Sequence, residues 1–261
     1  MKKQSEFTAI IVAAGTGKRM NSSVKKQYME IAGFPVLYHT INAFEKSMVD
    51  DIIIVTGEDE IEYVTKDIVE KYEFKKVSAV CRGGKERCDS VYEGVKQLLS
   101  DNGCKKKDET EAYVLIHDGV RPLITPELIN SCIESVKIYG ACIPGVSEKD
   151  TVKEADKNME VARTPDRKKL YRIQTPQCFC LSLIREAFEK FYDETGEKSS
   201  KIRIDMVTVE KSSGITDDAM LVEKFTGHKV KIIKGDYENI KITTPEDIGM
   251  AEYLIKNRRR E

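Results

Sequence analysis

Apolar residues along this chain fall into two alternating rhythms. Short continuous runs at 7–12 (Phe7-Thr8-Ala9-Ile10-Ile11-Val12), 51–55, 77–80, 113–116 and 141–146 predict buried strands, most of them parallel. Between them, apolar residues recur three or four apart over 35–44, 59–72, 87–99 and 125–138, which predicts helices. In the second of these, Ile61, Val64, Ile68 and Tyr72 share one face, and in the last Thr125-Pro126 supplies the N-terminal cap. Strand and helix in strict alternation, joined by right-handed crossovers, predict an α/β fold. Its sheet is doubly wound and mainly parallel, with the site at the strand C-termini.

The rhythm breaks at 147–172. Short alternating runs, Thr151-Val152-Lys153-Glu154 and Met159-Glu160-Val161-Ala162-Arg163, predict a protruding β-hairpin arm. So polar a hairpin has little core of its own and is expected to pack on something else, often a second subunit. Helices then return at 181–192 and 217–225, followed by a strand at 230–233 and a last helix capped by Thr244-Pro245. The whole chain, 1–261, reads as one domain carrying the arm.

Composition narrows the classes. A net charge of −1 with 33% charged residues gives no bulk attraction to nucleic acid. The basic end Lys256-Asn257-Arg258-Arg259-Arg260 reads as a solvated helix terminus. No apolar stretch approaches the ~20 residues of a membrane span, and the N-terminus runs straight into the first strand, leaving no room for a signal peptide. Seven cysteines lie scattered without metal-ligand spacing, so reduced thiols in a cytoplasm are expected. Only three histidines are present, which leaves few possible bases for Ser-His-Asp or Cys-His chemistry. Metal-assisted or purely electrostatic chemistry is the better expectation.

Polar residues that a core does not need gather at five places at the ends of predicted strands. The first is Ala13-Ala14-Gly15-Thr16-Gly17-Lys18-Arg19-Met20, running on to Lys26-Gln27. A small glycine-containing loop after a buried strand lets backbone N–H groups approach an anion, and Arg19 and Lys26 add two cations. Neither common phosphate fingerprint fits: Met20 replaces the third glycine of G-x-G-x-x-G, and Val12 and Arg19 break the P-loop pattern. The second is Gly83-Gly84-Lys85-Glu86-Arg87-Cys88-Asp89-Ser90, which is either a plain capped turn or a surface reading a base or ribose. The third is His117-Asp118-Gly119-Val120-Arg121-Pro122, where Asp118 either pairs with Arg121 or suits Mg²⁺ beside phosphate oxygens. The fourth is the arm with Asp150-Thr151 and Arg163 to Arg167, then Gln174-Thr175-Pro176-Gln177: hydroxyls and an arginine fork for a phosphomonoester. The fifth is Asn239-Ile240-Lys241, with Lys241 expected on a strand just before the last helix.

In this order and spacing, joined by Lys149-Asp150-Thr151 and Thr216-Asp217-Asp218-Ala219, the motifs resemble the cytidylyltransferases of the nucleotidyltransferase A fold. The likeness covers nearly the whole chain and is nearest to the 2-C-methyl-D-erythritol 4-phosphate cytidylyltransferase family. The resemblance implies a Rossmann-like fold and transfer of a cytidylyl group from CTP to a polyol phosphate. CTP would lie on Ala13, Ala14, Gly15, Thr16 and Gly17, with Gly83, Gly84 and Ser90 on the cytosine side, and Mg²⁺ on Asp118. Arg121, Thr151, Arg167, Thr175 and Lys241 would hold the sugar phosphate, while Arg19, Lys26, Arg167 and Lys241 would be catalytic. The arm would be exchanged in a homodimer with shared sites.

Three positions depart from the family pattern. Lys25 stands where proline often precedes the catalytic lysine, although spacing to Gln27-Tyr28 favours Lys26; Cys88 replaces a small or polar residue; and Val120 stands where alanine is usual. Valine there is familiar in ribitol-5-phosphate cytidylyltransferases, the near alternative. A non-catalytic nucleotide sensor of the same fold is the remote one.

Overall fold

The computed structural model describes residues 6–15, 20, 24–101, 112–194 and 214–258. Thr16, Gly17 and Arg19, the lysine-rich stretch at 103–109 and the last basic residues lie outside the described residues.

The strands predicted from continuous apolar runs are present: β1 (Phe7–Val12), β4 (Asp51–Thr56), β5 (Val77–Arg82), β6 (Tyr113–Asp118) and β7 (Ala141–Ser147). β2 (Glu30–Ile31) and β3 (Phe34–Pro35) form a separate two-stranded turn. In the main eight-stranded sheet β1 lies between β4 and β6, parallel to both, and β5 extends the row beyond β4. The chain thus leaves β1 first in one direction and then in the other. This reversal opens a crevice at the C-terminal ends of β1 and β6.

The sheet is mixed beyond β6. The segment β11 (Gln177–Cys180), which the apolar pattern did not predict, lies antiparallel between β6 and β7. β10 (Tyr171–Ile173) continues along the same edge of β7, and β12 (Lys231–Lys234) pairs parallel on its other edge.

Alternation along the strands sorts the core into two faces. Ala9, Ile11, Ile52, Ile54 and Leu115 pack with α1 (Val36–Glu45) and α4 (Pro126–Tyr139). Ile10, Ile53, Val55, Val114 and Ile116 point the other way, onto α3 (Arg87–Asp101), α5 (Leu181–Glu194) and α6 (Asp218–Thr226). A strand buried on both faces needs apolar residues at every position, which is why these runs are continuous. A smaller cluster of Ile31, Val36, Val120, Leu123 and Ile242 is closed by Ala251 and Ile255 of α7 (Pro245–Arg258).

Caps follow local chemistry. The Thr125 hydroxyl accepts from Leu128 N, and Gly140, at φ 70°, ends α4 in the left-handed region. At α7 the expected Thr244-Pro245 start is present, but the acceptor is Asp247. Its carboxylate reaches back to Thr243 N at 2.7 Å and Thr244 N at 2.9 Å. The predicted helix at 59–72 begins as the short α2 (Ile61–Tyr63) and widens into a π-helical stretch, Val64–Glu70, burying Val64 and Ile68.

The arm is shorter in strand than the sequence pattern suggests, with only β8 (Glu154–Ala155) and β9 (Val161–Arg163) pairing, both exposed. Its stem is the sheet itself, since Tyr171 and Arg172 pair with Ser147 and Val146. Lys241 is not on a strand. It sits in the irregular segment between β12 and α7, where Ile242 N donates to Val120 O, a single link that does not make a ladder.

Candidate active site

A cavity of about 300 Å³ opens at the crevice beside β1. Ala13, Ala14 and Gly15 form one wall as the chain leaves β1, Gly84, Glu86, Arg87 and Ser90 form another, and Asp118 and Val120 stand at and just past the end of β6. Lys26 and Lys241 line it as well. Five segments far apart in sequence therefore meet where the sheet topology opens a gap.

The wall after β1 is held by Gln27, which is buried and donates to Ala13 O at 2.7 Å and Gly15 O at 3.1 Å. Gln27 belongs to a single 3-10 turn, Lys26–Tyr28, that also fixes the two neighbouring lysines. Lys26 lines the cavity and its ammonium donates to Ile242 O at 3.1 Å. Lys25 points elsewhere, to Glu60 Oε1 at 2.7 Å.

The glycine pair allows a tight fit. A Cβ on Gly83 would stand 2.6 Å from the Ala14 Cβ and 2.7 Å from Ser90 Oγ; one on Gly84 would stand 2.2 Å from the Asp89 Cβ. The Ser90 hydroxyl accepts from Gly84 N at 3.1 Å and donates to Glu86 O at 3.0 Å, so it braces the turn. Asp89 caps α3 by accepting from Glu86 N at 3.1 Å.

Asp118 is the electrostatic centre. Its carboxylate accepts from Arg87 Nε at 3.2 Å, lies 2.9 Å from Lys241 Nζ and 3.5 Å from Arg121 Nε. Burial alone would raise its pKa, but Arg87, then Lys241 and Arg121, outweigh it and hold the carboxyl well below the usual range. Arg87 is shared with Asp218, and burial, which favours its neutral form, is outweighed by those two carboxylates, so it stays charged.

Behind Asp118 lies a buried polar layer. Asp118 N donates to Thr175 Oγ1 at 3.2 Å, and that hydroxyl meets His117 Nδ1 at 2.9 Å. Asn239 Nδ2 donates to Thr175 O, and Arg121 Nη1 donates to Asn239 O at 2.8 Å. Gln177 donates to Asp217 and accepts from Ala219 N, tying the start of α6 to β11. His117 is fully buried, and that burial pushes its pKa down to about 3. It is a neutral structural imidazole. None of the three histidines lines the cavity.

Of the residues expected at the site, the cavity brings together Ala13, Ala14, Gly15, Gly84, Ser90, Lys26, Asp118 and Lys241. Gly83 lies just behind its wall. Arg121 and Thr175 stand in the layer beneath Asp118. Thr151 and Arg167 are exposed on the arm, where Arg167 Nη1 donates to Lys149 O, and neither lines the cavity of its own chain. Arg87, Asp218 and Gln27 were not among the expected site residues. The arginine of Gly-Gly-x-x-Arg was visible in the sequence, but its two carboxylate partners come from distant segments.

Comparison with known proteins agrees with this arrangement. Residues 7–257 match the family model described as 2-C-methyl-D-erythritol 4-phosphate cytidylyltransferase. The enzyme of that name from Alkaliphilus oremlandii is 45% identical over 260 residues, 99% of each chain. Its namesake from Lachnoclostridium phytofermentans is 44% identical, covering 96% of this chain and 97% of the relative. The crystal structure of 4-diphosphocytidyl-2C-methyl-D-erythritol synthase from Anaerococcus prevotii superposes with a TM-score of 0.73 at 36% identity, over 96% of both chains. With the family model spanning every residue that lines the cavity, this chain belongs to the 2-C-methyl-D-erythritol 4-phosphate cytidylyltransferase family.

Proposed function

We propose that this chain transfers the cytidylyl group of CTP to 2-C-methyl-D-erythritol 4-phosphate, releasing pyrophosphate. The observation that carries the reading is the cavity itself. Arg87 and Lys241 meet one carboxylate there, Asp118, and Lys26 lines the same cavity beside a small-residue loop open to an anion. An acceptor phosphate dianion attacks the α-phosphorus without needing a proton removed, which suits a cavity with no histidine in its lining. What remains for the chain is to position and to neutralise. Lys26, together with Arg19, is assigned to charge on the phosphoryl oxygens, and Lys241 and Arg167 to the acceptor phosphate.

The donor set fits Mg²⁺ arriving with the triphosphate. Among the described residues no group of three or more His, Cys, Asp or Glu side chains could hold a metal alone. One hard carboxylate facing the cavity is what Mg²⁺ takes from a protein when phosphates and water supply the rest. Asp118 would hold it, and the ion would supply charge neutralisation at the phosphate oxygens.

The reading extends to a homodimer in which 147–172 reaches the partner's cavity. Val152, Met159 and Val161 are exposed on the arm, and Arg167 and Thr151 have no part in their own chain's cavity lining. It also puts the protein in the cytoplasm, where the six described cysteines, none of them in a disulfide, stay reduced. No described helix is long and apolar enough to cross a membrane. A coupled pyrophosphate-release assay with CTP tests the reading, run with methylerythritol phosphate and with ribitol 5-phosphate, each with Mg²⁺ and with EDTA. Turnover with methylerythritol phosphate, lost in EDTA, is expected. Preference for ribitol phosphate would reassign the acceptor, and full activity in EDTA would remove the metal.

A further inference from the structure

Asp218 is an aspartate with almost no exposed side chain, and its position is fixed by two neighbours rather than by its own contacts. Asp217 caps α6 by accepting from Met220 N at 2.9 Å, and Gln177 grips both Asp217 and Ala219 N. The Asp218 carboxylate is thereby set against Arg87, with Nη1 3.0 Å from Oδ1 and Nη2 2.9 Å from Oδ2. Arg87 thus meets Asp218 through two nitrogens and Asp118 through one, Nε at 3.2 Å. Each carboxylate takes one hydrogen bond from Arg87, and the Nη2–Oδ2 approach adds a second, purely ionic contact on the Asp218 side, which makes that pair the closer of the two. Arg87 is anchored at Asp218 and only leans on Asp118.

We propose that Asp218 is a positioning residue: it holds the Arg87 guanidinium aside and thereby keeps Asp118 open to a divalent cation. The inference rests on the reading of Asp118 as the metal carboxylate. Without the Asp218 charge, Arg87 has a single buried carboxylate left and closes on it, because a buried unpaired guanidinium is costly. A cation must then displace a guanidinium that is fully committed to Asp118. With Asp218 present, Arg87 has only its single Nε contact to give up, while Lys241, more than a third exposed, can swing away.

The test uses Mn²⁺ as the probe, with free Mn²⁺ measured by its electron paramagnetic resonance signal in the presence of CTP. Asp218→Asn should raise the half-saturating Mn²⁺ concentration roughly tenfold, the scale of losses seen when a residue supporting a metal ligand is changed. In an Arg87→Gln background the same change should have no effect on that concentration. An unchanged midpoint in Asp218→Asn, or a shift that persists without Arg87, overturns the proposal. Should Asp218→Asn fail to fold alone, the Arg87→Gln/Asp218→Asn double variant leaves no unpaired buried charge and must match Arg87→Gln; a weaker midpoint overturns it equally. Wild-type protein that binds no Mn²⁺ with CTP would defeat the metal reading and this inference together, and that result is visible before any variant is made. Pyrophosphate release by the wild type, measured alongside, tells failure of the whole functional reading from failure of this one.

Discussion

Lys25 Nζ lies 2.7 Å from Glu60 Oε1, and this pair decides which of two adjacent lysines faces the cavity. Glu60 also accepts from the Thr56 hydroxyl and Gly57 N through its other oxygen, so it is a fixed anchor. The Thr56 hydroxyl in turn meets Tyr28 OH at 2.8 Å, at the end of the same 3-10 turn that carries Lys26. Lys25 is pulled out, and Lys26 is left inward. Lys26→Ala is therefore expected to lower kcat by roughly 10²-fold or more, with a smaller rise in KM for CTP, as for loss of a preorganised donor to a transition-state oxyanion. Lys25→Ala should keep most of kcat. Steady-state kinetics on the two variants checks this, and the reverse order would show that the turn presents Lys25 to the reaction.

Lys241 meets the same carboxylate as Arg87 but is over a third exposed, and no strand holds it. Such a side chain can leave Asp118 for an incoming phosphate. Lys241→Ala should therefore weaken use of the acceptor, through KM, kcat or both, while CTP binding followed by calorimetry changes little. A large loss of CTP affinity with unchanged acceptor KM would place Lys241 on the nucleotide instead.

The parts legible in the sequence are those whose physics is local. Ile10, Ile53 and Ile116 lie in strands buried on both faces, so their neighbours are apolar too and the runs announce themselves. Thr125-Pro126 and Gly140 cap α4 by rules that act within a single turn. Gln177–Cys180 escaped because four mixed residues after a proline carry no period, and their antiparallel place depends on a chain reversal far from them. Lys241, expected on a strand before the last helix, lies in an irregular segment, because Ile242 beside it is buried against α7 and Val120 rather than in a ladder. At the site, the glycine loop and Asp118 stood out by residue type, whereas Asp218 did not. Its role lies in a pairing with Arg87 from a distant segment, and no spacing rule encodes that.

His117 makes stability depend on pH in a definite direction. Burial lowers its pKa to about 3 in the folded protein, against about 6.5 for an exposed histidine. Between those values the unfolded chain binds a proton that the folded one refuses, so stability falls as pH drops below about 6.5 and recovers as pH rises. The slope is one proton, about 1.4 kcal/mol per pH unit. His117→Asn should flatten the wild-type dependence between pH 6.5 and 5.5, a window above most carboxylate titrations, when unfolding is followed in urea at each pH. An unchanged slope would mean that the folded protein protonates His117 as readily as the unfolded chain does.

Arg167 and Lys26 should act from different subunits. The arm that carries Arg167 is exposed along both of its short strands, and Val152, Met159 and Val161 project from it without core around them. An arm of this kind gains burial by crossing to a second copy, and Arg167 then serves the partner's cavity. Lys26→Ala and Arg167→Ala chains, each poorly active alone, should regain activity when mixed and allowed to exchange. In the heterodimer both lesions fall in one site, leaving the other intact, so recovery should approach about half of the wild-type rate per heterodimer if the sites are independent. Native mass spectrometry confirms that heterodimers have formed. Heterodimers without recovered activity would put Arg167 in the same subunit's site as Lys26 and refute the exchange.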